Sequence, residues 1–304
     1  MNRYLEAIGF RSIWRREQLE ALSKEVILHY DDRRIYVNEQ GAIVGSFIKS
    51  FGPNLGLVVT GEFDREKNFH PSSTVPFLHS DLLSSTSYIE IEKKRAGEEY
   101  AGCLDDFHFG TAVVFQVINS GEYMCSRQKT KNGRKKPDLY PGNVCLSALS
   151  ISGRVILPVL KNEFEADEIR ERTEKHARLS EQARKGDEDA FDELADYEYE
   201  VMNEVQKRIQ NEDLFTIVDT SLFPSGMEAD QYRLVGTILD CQIVENSRTG
   251  EKVWQMTIKV CGVPIRLAIH EDQLLGEPKP GRRFRGSIWL SGEIGLVEDK
   301  MLKD

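Results

Sequence analysis

The chain has 304 residues, of which 40% are hydrophobic, 30% charged and 9% aromatic, a composition that excludes collagenous and disordered classes and predicts a soluble globular protein of two or three domains. No apolar run approaches the ~18–20 residues of a membrane helix, and the opening MNRYLEAIGF lacks the apolar core of a signal peptide, so membrane and secreted classes are marked down. A net charge of −10 argues against a generally basic, DNA-coating protein.

That charge is unevenly placed. Residues 1–161 carry 21 basic and 19 acidic side chains, residues 162–215 carry 8 and 18, and residues 216–304 carry 11 and 13. The acidity belongs to the middle segment, and three units follow: an α+β domain over 1–161, an acidic helical hairpin over 162–215 and a β domain over 216–304. The five cysteines (Cys103, Cys125, Cys145, Cys241, Cys261) are odd in number and form no CxxC pair. A reducing cytoplasm is the expected compartment, with neither a disulfide framework nor a structural zinc.

The N-terminus reads as helical, with Leu5 and Ile8 three apart and Leu19, Leu22 and Val26 on one helix face. The period then changes to two. Arg34–Val37, Ala42–Ile48 and Leu55–Gly61 are predicted strands, separated by a turn at Asn38–Gly41 and by Gly52-Pro53-Asn54. The Pro- and Ser-rich stretch Phe69–Ser80 reads as a connecting loop. Further strands are expected at Ser87–Glu92, Tyr100–Cys103, Thr111–Asn119, Val144–Ser150 and Arg154–Val159, with a basic loop over Ser126–Pro137. Helices followed by runs of strands predict an α+β fold with a mixed, mostly antiparallel sheet.

In the middle segment Asn162 is a candidate N-cap, with Glu163, Glu165, Asp167 and Glu168 near the positive end of the helix. Few apolar residues back this helix, so much of it is expected to face solvent or a partner. A second helix from Asp187 to about Gln210 has a stripe of Phe191, Leu194, Val201, Val205 and Ile209. The last third returns to strands: Tyr232–Val244 with a bulge expected at Gly236, then Val253–Val260, Val263–Ile269, a short helix or turn at His270–Leu275, and Arg283–Ile294. That order predicts an OB-like β-barrel.

Glu212-Asp213, Ile217-Val218-Asp219-Thr220, Phe223-Pro224, Gly226, Glu228 and Asp230-Gln231-Tyr232 form one recognisable run. Leu275-Gly276-Glu277-Pro278-Lys279, Gly281, Arg283-Phe284, Gly286, Ile288-Trp289-Leu290 and Gly292 form another, and Ala7-Ile8-Gly9-Phe10 a third. In these runs the whole chain resembles an uncharacterised clostridial (Firmicute) family of proteins of this length, a domain of unknown function. The resemblance implies no activity and carries over no site residue.

No P-loop, GxGxxG, GxSxG or kinase motif occurs, and no cofactor is expected. Cys103 and His108, flanking Asp105-Asp106, are the candidate catalytic pair, since a thiolate needs a base within hydrogen-bond reach; the plainer reading is a β-turn with a buried cysteine. Asp219, Glu228 and Asp230 could bind a hard cation or cap the linker to the barrel. The six histidines show no metal-binding spacing. Arg127, Lys129, Lys131, Arg134, Lys135 and Lys136 form a basic loop suited to a phosphate backbone, to the protein's own acidic helices or to solvent. The leading expectation is a non-enzymatic binding or adaptor protein that meets a protein partner or a second copy through Glu163, Glu165, Asp167 and Glu168. The first alternative is single-stranded nucleic-acid binding by the barrel and basic loop, against which the lack of aromatics on the presumed outer face counts. The second is an enzyme around Cys103.

Overall fold

The computed structural model describes residues 3–13, 15–38, 40–95, 97–127, 139–158, 171, 175–176, 178–180, 182–183, 187–209, 220–225 and 228–298. The fold is mixed α+β with two sheets. A 3-10 helix, Arg3–Ile8, and helix α1, Arg16–Leu28, open the chain. The Arg15 backbone N–H donates to Gln18 Oε1 at 2.9 Å, which closes the first turn of α1.

The first sheet is an antiparallel meander of β1 (Asp32–Val37), β2 (Ile43–Gly52), β3 (Leu55–Phe63) and β4 (Phe69–Leu78). The side chain of Asn38 builds the β1–β2 turn, accepting from the N–H groups of Gln40 at 3.1 Å and Ala42 at 2.9 Å. Strand β4 occupies the stretch expected to be a loop. Its prolines do not prevent pairing, because β4 is an edge strand and Pro71 sits where the register with β3 shifts.

The second sheet begins with β5 (Ile89–Lys93), β6 (Tyr100–Leu104) and β7 (Val113–Val117). Helix α2, Ser120–Arg127, follows and packs by Gly121 against Arg34 and Ser46. Sequence periodicity missed it: eight residues containing two serines and a glycine carry little helix propensity. Strand β8 runs unbroken over Leu139–Ile156, where two strands were expected. Ser152-Gly153 resembles a turn, but Gly153 pairs with Gly286. A Cβ on Gly153 would lie 2.3 Å from the Phe284 ring, so glycine here permits a close approach rather than a reversal.

Helix α3, Glu188–Ile209, corresponds to the second predicted helix. The short β9 (Ser221–Pro224) then leads into β10 (Gln231–Glu245), β11 (Lys252–Val260) and β12 (Val263–His270). A 3-10 turn at Glu271–Gln273, β13 (Leu274–Leu275) and β14 (Arg283–Glu298) complete the described chain. The bulge in β10 lies between Ile238 and Asp240, not at Gly236. Residues 231–237 of β10 pair with β14 and residues 237–245 with β11, so the extra residue falls where the strand changes partner. Gly236 is instead required by packing, since a Cβ there would lie 2.4 Å from Ile258.

Successive pairings return to their start. β10 pairs with β11, β11 with β12, β12 in parallel with β8, β8 with β14 along its length, and β14 with β10. One core includes Leu234, Ile258, Leu267, Phe284 and Leu290 from these strands, together with Phe115 of β7. A second core joins the first sheet, the 3-10 helix and α1 to Leu149, Ala268 and Trp289 of the ring strands. Trp289 stacks on Tyr4 at 5.4 Å between ring centroids. Successive residues of β8, Ala148 and Leu149, thus enter different cores.

Candidate functional site

Strands β8, β14, β10 and β9 share one face, on which Ser152, Arg154, Phe223 and Arg233 are exposed while Val235 and Ser221 are buried, and their registers array it in two rows. Arg154 lies opposite Arg285, Arg285 opposite Val235, and Val235 opposite Ser221. In the adjoining row Ser152 lies opposite Ser287, Ser287 opposite Arg233, and Arg233 opposite Phe223. All eight line a groove of ≈ 730 Å³, joined by Leu275, Asp272 and Gln273. Phe223 is 61% exposed and Leu275 66%. Asp272 is engaged by Arg11 at 2.5 Å, and no ion pair among the described residues involves Arg154 or Arg233. Arg154 and Arg285, directly opposite each other, place two like charges side by side on this face.

The outer faces of β11 and β12 are occupied elsewhere. Val253 and Ala268 lie in the core beneath the first sheet, and buried Gln255 donates to the Pro53 carbonyl at 2.6 Å. Arg266 pairs with Asp81 at 2.8 Å.

Cys103 lies in β6 opposite Glu90 and Val114. Burial raises its thiol pKa, and Glu90, Asp105 and Glu92 add to the rise. His108 sits on a single 3-10 turn whose Asp106 accepts from its backbone N–H at 2.9 Å and pairs with its Nδ1 at 2.7 Å. Buried Asp106 also accepts from Ser85 and Ser87. Burial pushes the Asp106 carboxyl up, but these hydrogen bonds outweigh it and hold the pKa below its ordinary value. Among the described residues no hydrogen bond joins Cys103 to His108. The arrangement is an anchored turn beside a thiol that its surroundings keep protonated.

Asp230 is paired with Lys94 at 2.8 Å, and Glu228 accepts from Gln231 Nε2 at 2.8 Å. Asp219 lies outside the described residues. His70 binds Asp64 at 2.8 Å, and that hydrogen bond, with others from Asn68 and Glu66, lowers the Asp64 pKa to about 2. His79 binds Glu293 at 2.8 Å, and buried His270 accepts from the Asp272 N–H. No group of three or more potential metal ligands converges among the described residues.

Of the basic loop, Arg127 ends α2 and donates to the Tyr123 hydroxyl at 2.7 Å; Lys129, Lys131, Arg134, Lys135 and Lys136 lie outside the described residues. So do Glu163, Glu165, Asp167 and Glu168. On α3, Glu193 pairs with Lys175 at 3.1 Å, while Phe191 and Tyr199 are 63% and 68% exposed. No described helix is long and apolar enough to cross a membrane. The arginine face was not found from the sequence, because Arg154, Arg233 and Arg285 meet only through strand register. Phe223 was visible only as part of a family-like run.

No curated protein and no solved structure matches the chain. The family described as "Domain of unknown function, E. rectale Gene description (DUF3881)" matches residues 5–292. The chain belongs to this clostridial family of unknown function, as its three sequence runs led one to expect.

Proposed function

We propose that the protein binds single-stranded nucleic acid across the β8–β14–β10–β9 face, and that its ring of five strands is OB-like. The observation carrying this reading is the row that places Arg154 opposite Arg285, beside a second row ending in Arg233 and exposed Phe223. Arginines neutralise phosphates, and an exposed aromatic ring offers a base a stacking surface. In OB-folds the customary face is built on the second and third strands; here the corresponding β11–β12 face is roofed by the first sheet, which leaves the opposite side for a ligand. The thiols fit a reducing, cytoplasmic setting.

Fluorescence anisotropy with labelled single-stranded RNA and DNA oligonucleotides tests the reading. Binding is expected at low salt, weakening as salt rises. Arg154→Ala and Arg233→Ala should each flatten the logarithmic salt slope by about 0.7. Phe223→Ala should cost about 1–3 kcal/mol of affinity. Absence of binding at low salt refutes the proposal.

Exposed Phe191 and Tyr199 on the acidic α3 favour a second reading, in which the 162–215 segment docks a basic protein partner or a second copy. Reversing Glu163, Glu165, Asp167 and Glu168 to Lys should then abolish co-purification of the partner, and an unchanged set of co-purifying proteins would dismiss this role.

A further inference from the structure

A cavity of ≈ 780 Å³ lies between the 3-10 helix, the β5–β6 connection and the start of β10. Its floor includes Tyr4 stacked on Trp289, both buried. Its wall carries Arg3, Lys94 and Arg95 of one sign and Glu99, Glu228 and Asp230 of the other. Most of these groups are engaged. Lys94 holds Asp230 Oδ2 at 2.8 Å, Glu99 accepts from Ser73 Oγ at 2.5 Å, Glu228 accepts from Gln231 at 2.8 Å, and Arg3 donates to Gln231 Oε1 at 3.2 Å.

Two groups stand out. Asp230 is only 3% exposed, yet its Oδ1 has no hydrogen-bond partner among the described residues. Arg95 is exposed and no ion pair among the described residues engages it. A buried carboxylate oxygen without a donor costs free energy, which a donor from a bound molecule would recover. The wall has no excess of either sign, so a simple ion would be repelled by half of it, whereas a small molecule bearing both charges would find partners for each.

We infer that this cavity binds a small zwitterion of the free amino-acid class. Its ammonium donates to Asp230 Oδ1, its carboxylate meets Arg95, and its side chain lies against the Tyr4–Trp289 floor. This site is separate from the arginine face, and the two stand or fall independently.

Thermal-shift and calorimetric titration of the full chain with the common free L-amino acids, and with their N-acetyl and methyl-ester forms, provides the test. At least one free amino acid should raise the melting temperature, while blocking either its ammonium or its carboxylate should abolish the rise. Asp230→Asn should weaken that binding about tenfold or more. Arg95→Ala, at an exposed position where folding is undisturbed, should weaken it as well and carries the test if the Asp230 variant does not fold. If no free amino acid shifts the wild-type melt, or if Arg95→Ala binds as wild type, the proposal is overturned, and Asp230 Oδ1 is served by water.

Discussion

Phe284 shows how single residues set the ring. Its side chain is fully buried, and Cβ atoms on Gly153 or Gly286 would lie 2.3 and 2.5 Å from it. Gly153→Ala should therefore destabilise the protein by about 1–3 kcal/mol through overpacking, measured by urea unfolding. At Cys103 the raised thiol pKa predicts alkylation by iodoacetamide at neutral pH no faster than a model thiol; fast labelling would favour the catalytic reading. Glu293 supplies a pH dependence. Burial raises its pKa above 4.5, with Glu122 adding to the rise and His79 opposing it. A carboxyl with a raised folded pKa contributes stability that is complete below the unfolded value and lost as pH rises through the folded one. Glu293→Gln, which can still accept from His79, should therefore gain in melting temperature relative to wild type as pH climbs from about 4 to 7. A constant difference across that range would contradict the assigned cause.

Among the elements, β8 joins strands of the last third to the first half of the chain. It pairs with β14 along its length, with β12 over Ser147–Ser150 and with β13 at Gly153–Arg154. Its two faces feed separate cores through Ala148 and Leu149. Leu149→Ala should cost about 2–5 kcal/mol by opening a cavity under the first sheet, read from chemical denaturation. The apolar run around Val144–Ser150 marked a strand in the sequence, but its length did not, because Ser152-Gly153 imitates a turn. Strand β4 was hidden for a related reason. Pro71 and Pro76 suggest a loop until the strand is seen at an edge, where a missing N–H costs little. Helices α1 and α3 were readable from apolar spacing alone, whereas α2 was too short and too polar to announce itself.

Across the whole molecule, β8 couples the first half of the chain to the last third. The ring formed by β10, β11, β12 and β14 is completed by a strand from within residues 1–161. A fragment of residues 216–304 should therefore fail to give a dispersed NMR spectrum, and a well-dispersed one would show that the last third closes without β8. Local pattern by itself determined helices α1 and α3, most of the strands, the three-part division of charge and the family-like runs, because each depends on residues near one another in the chain. It also identified Asp230 as a carboxylate of interest. Only the tertiary structure decided that Asp230 is buried against Lys94 with one oxygen unpartnered, and that Arg154, Arg233, Arg285 and Phe223 share one face. These groups come from segments far apart in sequence, and strand register, set by packing on two cores at once, brings them together.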